Sequence, residues 1–175
     1  LIYIVRDPRD LVISQSKHYE NTIDKTIDMI SNNIHLIRST EKKYPILIST
    51  PVLHYKSWQS LKVPKITIKY EDLLLNPKKT INDIMVYFQL FFNYSFNNQE
   101  KILKNLVETT RFKEMQNYEK NYGFNEAPYS TQNKKFKNYF FRKGLASQWK
   151  QILSTNQIKK IESSCSYIMQ KFNYL

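Results

Sequence analysis

The chain opens on an apolar run, residues 1–5, in which every residue after the first is β-branched or aromatic. Such a run is typical of a strand buried on both faces, as in a parallel sheet. Asp7 then offers a helix N-cap, and Pro8 suits the first helical position, where its missing N–H costs nothing. Apolar residues continue at helical spacing as far as Tyr19. Residues 1–19 therefore predict a strand, a tight turn and a helix.

Two helices and one further strand are predicted in the middle of the chain. Isoleucines recur at spacings of four and three over residues 22–43, which predicts one long amphipathic helix. After Pro51, apolar and aromatic residues at helical spacing predict a shorter helix that reaches Leu61. Apolar and polar residues alternate over residues 66–69, which predicts a short strand ending just before Tyr70.

The second half of the chain predicts mainly helices around one long loop. Asn76 and Pro77 open a helix that runs to about Leu90, and a capping box at residues 97–100 opens the next one. Residues 118–139 have neither helical nor alternating periodicity, and loops of this length are often lids or binding loops. A second capping box opens a final helix, whose inward face carries Ile158, Ile161, Cys165, Ile168, Met169 and Phe172.

The first strand ends at Arg6, which places a basic side chain at the carboxyl edge of the predicted sheet. Ligands of open α/β sheets bind at that edge, and the free N–H groups of the following helix favour a phosphate there. Arg6 can bind phosphate oxygens through its forked guanidinium, and Ser14, two turns along the helix, can add a hydroxyl. On geometry alone a purely structural alternative is favoured: a buried strand, a capped helix, and Arg6 paired with Asp7 or Asp10.

The segment RDPRDLVIS resembles the 3′-phosphate-binding segment of the sulfotransferases that use 3′-phosphoadenosine 5′-phosphosulfate (PAPS). In that family an arginine ends a strand and a serine follows eight residues later, and both hold the 3′-phosphate of the ligand. Arg6 and Ser14 occupy those positions. The resemblance implies that these two residues bind the 3′-phosphate.

Two later segments resemble the same family in its order. Tyr70 stands where a strand ending in Tyr-Glu-Asp brings a tyrosine to the adenine. Thr110 and Phe112 match a segment in which the phenylalanine stacks on the purine, a contact worth about 1–3 kcal/mol. Taken separately, Tyr70 could instead cover the core, and Thr110 and Phe112 could be a helix cap followed by a core side chain.

The fourth resemblance is the strongest and lies at Arg142-Lys143-Gly144. In the family this segment closes over the 3′-phosphate and is followed by a tryptophan five residues after the glycine, here Trp149. The two cations and the permissive glycine backbone suit a phosphate, although the same three residues could also form a solvated loop. The family usually has Gly-Asp before that tryptophan, where this chain has Ser147 and Gln148, so the detailed loop conformation is expected to differ.

Together these resemblances imply a single sulfotransferase domain over residues 1–175. The implied fold is α/β and P-loop-NTPase-like, with a parallel central sheet flanked by helices, here N-terminally incomplete and helix-rich. The chain corresponds to the C-terminal two-thirds of the family domain, so the 5′-phosphosulfate loop and the catalytic base are expected upstream of Leu1. PAPS is the implied co-substrate, and neither the family nor any His, Cys or Asp spacing here suggests a metal. No histidine of the chain is at a catalytic position of the family.

Two alternatives to an active sulfotransferase remain open. The net charge of +12 and the many aromatic residues would fit a basic module that binds nucleic acid or another anion. We discount that signal, because the chain is rich in Lys, Ile, Asn, Tyr and Phe and contains only two Gly, as AT-rich coding produces. The other alternative is a family member that binds the nucleotide but has lost catalysis.

The remaining expectations concern partners and compartment. The acceptor implied by the family is a hydroxyl or amine of a small molecule, a carbohydrate, a lipid or a protein. The single cysteine, Cys165, predicts a small core residue and fits a reducing, cytoplasmic compartment. No apolar run approaches the ~20 residues of a membrane-spanning helix.

Overall fold

The computed structural model describes residues 1–32, 34–37, 46–127 and 138–175. The chain divides into two compact units: a first unit of Leu1–Arg6 and Val63–Ala146, and a second unit of Asp7–Lys62 and Ser147–Leu175. In chain order the elements are β1 (Ile2–Val5), α1 (Pro8–His18), α2 (Ile23–Ser31), β2 (Ile34–Ile37), β3 (Ile46–Ser49), α3 (Pro51–Ser60), β4 (Ile66–Lys69), α4 (Tyr70–Leu75), α5 (Pro77–Phe92), α6 (Gln99–Thr109), α7 (Phe112–Tyr122), α8 (Trp149–Ile152), α9 (Thr155–Ser164) and α10 (Ser166–Lys171).

A parallel pair of strands forms the sheet of the first unit. β1 lies beside β4 in a register that pairs Ile2 with Ile66 and Val5 with Lys69. The predicted helix-rich α/β fold with a parallel sheet is therefore confirmed. The prediction that β1 is buried on both faces is wrong, because Ile4 is 56% exposed and Val5 is the one fully buried position of the strand. In the described residues β4 is its only pairing partner.

Helices α4 to α7 follow β4 and complete the first unit. α5 packs on α4 and α6, and its side chains Met85 and Tyr87 are buried together with Leu103 of α6. The predicted helix from Pro77 is confirmed and ends at Asn93, a left-handed residue with φ of +50°. The capping box predicted at residues 97–100 is wrong, because Asn98 is left-handed and its side chain makes no capping hydrogen bond.

The second unit is built around α1, α2 and α9, which contact one another. Asp7 caps α1 as predicted, since its carboxylate accepts the N–H of Arg9, and Pro8 takes the first helical position. The capping box of Ser154 and Gln157 at the start of α9 is also confirmed. Buried apolar side chains of α1, α2 and the segment from the end of α8 to α10 form the core of the unit, namely Val12, Ile13, Ile27, Ile30, Leu153, Ile161, Cys165 and Met169.

The long helix predicted over residues 22–43 is wrong. α2 ends at Ser31, because Asn32 adopts an extended conformation. Residues 34–37 then form β2, which pairs antiparallel with β3. Residues 38–43 of the predicted helix lie outside the described residues. The final helix is also interrupted, since Cys165 departs from helical geometry and separates α9 from α10.

Two predictions about short segments are confirmed in part. α3 begins at Pro51 behind the capping side chain of Thr50, but Tyr55 is the one buried side chain of this helix. The loop predicted over residues 118–139 begins later than expected, because α7 continues to Tyr122. Residues 128–137 of that loop lie outside the described part of the chain.

Candidate functional site

The register of the sheet places Arg6 and Tyr70 side by side. Val5 pairs with Lys69, so the residues that follow them leave two adjacent parallel strands at the same edge. The Arg6 guanidinium lies 4.3 Å from the centre of the Tyr70 ring, a cation–π contact. The sheet thus brings together a cation and an aromatic ring that are 64 positions apart in the sequence.

One nitrogen of the Arg6 guanidinium has a hydrogen-bond partner, and another has none among the described residues. Its Nη2 donates a hydrogen bond of 3.0 Å to the carbonyl oxygen of Leu145. Its Nε is buried and, within the described residues, has no hydrogen-bond partner. A buried guanidinium N–H without an acceptor is costly, so this atom favours an anionic oxygen beside it.

The acids suggested as partners of Arg6 in the structural alternative are engaged elsewhere. The carboxylate of Asp7 forms a salt bridge of 2.8 Å with Arg9. The carboxylate of Asp10 is buried and accepts the backbone N–H groups of Ser147 and Trp149. Of the two arginines in RDPR, Arg9 therefore has the structural role within the second unit.

The segment that carries Arg142 is packed against α7. Gly144 has a φ of +59°, and a Cβ added to it would overlap the ring of Phe112. Phe112 also contacts Phe141 edge-on, with ring centres 6.0 Å apart. The two sequence segments that resemble the family at Phe112 and at Gly144 thus contact each other directly.

The charge of Arg6 acts on Arg142 within this unit. Burial and the nearby charge of Arg6 both lower the pKa of Arg142 from its ordinary value. Lys143, the next residue, is exposed. Like charges that interact are unfavourable without a counter-charge, so Arg6 and Arg142 are suited to bind an anion.

The other residues predicted for the site are placed differently. Thr110 is exposed, follows the last residue of α6 and donates its hydroxyl to the carbonyl oxygen of Leu106 at 2.6 Å. Ser14 lies half-buried on α1 and belongs to the second unit. The first unit therefore brings together Arg6, Tyr70, Phe112, Arg142 and Gly144.

Comparison with known proteins identifies the family. The family model described as "Sulfotransferase domain" matches residues 1–173. The chain belongs to the sulfotransferase domain family. Among curated proteins, no sequence matches it.

Solved structures agree with this sulfotransferase fold. A mouse sulfotransferase, SULT7A1, complexed with PAP, is 19% identical with a TM-score of 0.63, and the match covers 97% of this chain and 58% of that one. Retinol dehydratase in complex with androsterone and inactive cofactor PAP is 18% identical with a TM-score of 0.63, over 96% of this chain and 46% of that one. Retinol dehydratase in complex with retinol and PAP is 18% identical with a TM-score of 0.64, over 96% and 47%. The chain spans about half the length of the structures it matches.

Two polar residues of α7 that contact the loop were not predicted from the sequence. Glu119 is buried, and its carboxylate accepts the N–H groups of Phe140 and Phe141. Gln116, one turn earlier, donates to the carbonyl oxygens of Phe141 and Arg142. Their spacing of three residues would place both side chains on one face of a helix. The sequence did not predict this face, because the loop was expected to begin at residue 118.

His54 and Trp58 on α3 lie one helical turn apart and form a hydrogen bond. The Trp58 Nε1 donates a hydrogen bond of 2.9 Å to the His54 Nε2. Burial lowers the pKa of His54, which favours the neutral ring that accepts this bond.

Neither a membrane helix nor a metal site is found in the ranges the structure describes. There, none of the helices is both long enough and apolar enough to cross a membrane. The same residues bring no three His, Cys, Asp or Glu side chains into a group that could hold a metal ion.

Proposed function

We propose that the protein transfers a sulfuryl group from PAPS to a hydroxyl or amine acceptor. In this proposal the first unit binds the 3′-phosphoadenosine part of the donor. The membership of the sulfotransferase domain family supports the reaction class. The structures of the similar proteins contain PAP, the abbreviation for 3′-phosphoadenosine 5′-phosphate, which supports the choice of donor.

The observation that carries the proposal is the pair of arginines at the end of β1 and before Gly144. Arg6 has a buried Nε without an acceptor among the described residues, and its charge acts on Arg142. A doubly charged phosphate would supply the acceptor for Arg6 and relieve the repulsion between the two guanidinium groups. Lys143 would add a third positive charge, and Gly144 would let the backbone come close to the ligand.

The adenine would be bound by aromatic side chains. Tyr70 leaves the sheet beside Arg6, and Phe112 is half-buried at the start of α7. Each offers a ring to a purine, and base stacking of this kind is worth about 1–3 kcal/mol. Thr110 is included on the resemblance alone, because its hydroxyl is occupied by the Leu106 carbonyl.

The chemistry of the proposed reaction is a displacement at sulfur. The acceptor oxygen or nitrogen forms a bond to sulfur while the bond from sulfur to the phosphate oxygen breaks, and a base takes the acceptor's proton. Positioning and charge stabilisation supply most of the catalysis in transfers of this type. Binding the remote 3′-phosphate would hold the donor in line, so weakening that contact would reduce turnover as well as affinity.

Calorimetry with two nucleotides tests the proposal in the full-length protein. We expect PAP to bind at least about tenfold more tightly than adenosine 5′-phosphate, which lacks the 3′-phosphate, since a charge-assisted hydrogen bond contributes about 1.5–3 kcal/mol. Transfer of labelled sulfuryl from PAPS to a panel of acceptors would then separate an active enzyme from an inactive nucleotide-binding homologue. Equal affinity for the two nucleotides, or binding of single-stranded nucleic acid alone with a steep salt dependence, would overturn the proposal.

A further inference from the structure

We propose that Glu119 and Gln116 are positioning residues that fix the backbone of residues 140–142 and so place Arg142 for the 3′-phosphate. The inference rests on the proposed function and adds two residues of α7 to it. Neither side chain is expected to touch the ligand, because both are occupied by the backbone of the loop.

Glu119 holds the start of this segment. Its Oε1 accepts the N–H of Phe140 at 2.6 Å, and its Oε2 accepts the N–H of Phe141 at 2.9 Å. The residue is only 5% exposed, so these bonds form away from water. Buried bonds to an ionised carboxylate are shorter and stronger than bonds between neutral groups. One carboxylate thus fixes two consecutive peptide groups.

Gln116 holds the next two carbonyl groups. Its Nε2 donates at 2.9 Å to the carbonyl oxygen of Phe141 and at 2.9 Å to that of Arg142. With Glu119, four hydrogen bonds from one face of α7 bind three consecutive residues of the loop. Phe112 extends the same helix face and packs under Gly144.

Such anchoring is needed because of the charge that the loop carries. Burial lowers the pKa of Arg142, and the charge of Arg6 lowers it further, so the two guanidinium groups repel each other. A loop without fixed backbone contacts would relax away from Arg6 in the absence of ligand, and binding would then bear the cost of ordering it. The four bonds from α7 hold Arg142 in place before the phosphate arrives. The side chains of α7 therefore pre-organise the anion site.

The test compares nucleotides with and without a 3′-phosphate in the full-length protein. Glu119→Gln replaces one acceptor oxygen with a donor, and Gln116→Met keeps the length of the side chain but removes both donor bonds. Glu114→Gln is the matched control, because it removes the same charge from an exposed position of the same helix. Calorimetry gives the Kd of each variant for PAP and for adenosine 5′-phosphate, and thermal unfolding gives its stability.

We expect Glu119→Gln to raise the Kd for PAP about tenfold and to change that for adenosine 5′-phosphate less than about twofold. Glu114→Gln should change neither. In an Arg142→Ala background Glu119→Gln should have no further effect on PAP, because its action passes through Arg142. A merely structural role would lower the melting temperature but leave the ratio of the two Kd values unchanged, which would overturn the inference.

Three further cases complete the test and separate the inference from the proposed function. If Glu119→Gln does not give folded protein, Gln116→Met is used instead and is also expected to raise the Kd for PAP selectively. An unchanged ratio of the two Kd values in that variant overturns the inference. If the wild-type protein binds both nucleotides equally, the proposed function fails and the inference fails with it. If the wild type prefers PAP and the α7 variants retain that preference, only the inference fails.

Discussion

Gly144 lies directly against the ring of Phe112, so closely that no side chain fits between them. The contact joins the basic loop to the first residue of α7. It also explains why glycine is needed at this position: the backbone is left-handed, with φ of +59°, and the space for a Cβ is already filled. The loop that carries Arg142 therefore packs on the ring of Phe112.

Replacing Gly144 by alanine should displace the loop from the ring of Phe112. Left-handed backbone costs an alanine about 1–2 kcal/mol, and the overlap with Phe112 adds to that cost. We expect Gly144→Ala to weaken PAP binding at least about tenfold in calorimetry. Gly123→Ala is the control, because Gly123 also has a positive φ but nothing lies within 4 Å of its missing Cβ. Loss of PAP affinity in both variants alike would contradict a specific role for the contact with Phe112.

Asp10 should prove important for the stability of the second unit. Its buried carboxylate accepts the N–H groups of Ser147 and Trp149, and it fixes the turn before α8. Asp10→Asn replaces one acceptor oxygen with a donor, which should cost about 1–3 kcal/mol in the free energy of unfolding. Urea unfolding followed by circular dichroism measures this loss, and the exposed Asp28→Asn should show almost none. Equal stability of the two variants would exclude the role assigned to Asp10.

The thiol of Cys165 should be unreactive in the folded protein. Burial raises its pKa from 9.0 to about 11. At pH 8 the native protein should react with Ellman's reagent far more slowly than the unfolded protein. Between pH 9 and about 11 the unfolded chain loses the thiol proton while the folded chain keeps it, so stability should fall as the pH rises, by about 1.4 kcal/mol per pH unit.

A control variant isolates the contribution of this thiol to the pH dependence of stability. The stability difference between wild type and Cys165→Ala should be constant up to pH 8 and should shrink by about 1 kcal/mol by pH 10. A difference that stays constant to pH 10, or rapid modification of the native thiol at pH 8, would argue against the buried state of Cys165.

Ser14 stays a prediction from the family resemblance and has its own test. If its hydroxyl binds the 3′-phosphate, Ser14→Ala should raise the Kd for PAP about tenfold and leave that for adenosine 5′-phosphate nearly unchanged. Ser57→Ala removes a helical hydroxyl from an exposed site on α3 and serves as the control. An unchanged Kd for PAP in Ser14→Ala would remove this residue from the site.

The parts of the fold that the sequence predicted correctly are those decided by local chemistry. Asp7 and Pro8 start α1, and Ser154 with Gln157 starts α9, because capping needs only residues within one turn. The strand β2 was missed because its pairing with β3 is non-local, and the isoleucines at residues 34 and 37 fit the helical period equally well.

The candidate site shows the same division between local and distant contacts. Arg6 and Tyr70 could be placed from strand ends and a family resemblance, since parallel strands end at one edge. The partners of Asp10 could not, because Ser147 lies 137 residues further along the chain. For Asp7 two nearby arginines were available, and the fold selects Arg9 rather than Arg6. Glu119 was missed for a similar reason: its bonds reach a loop 21 residues further along the chain.

The central claim is that Arg6 binds the 3′-phosphate of the donor, and one calorimetric titration tests it most directly. PAP is titrated into the full-length wild-type protein, the Arg6→Ala variant and a Lys101→Ala control, which removes a positive charge from an exposed position on α6. We predict that Arg6→Ala raises the Kd at least about tenfold, a loss of about 1.4 kcal/mol, while Lys101→Ala changes it less than about twofold. An unchanged Kd in folded Arg6→Ala protein would contradict the account.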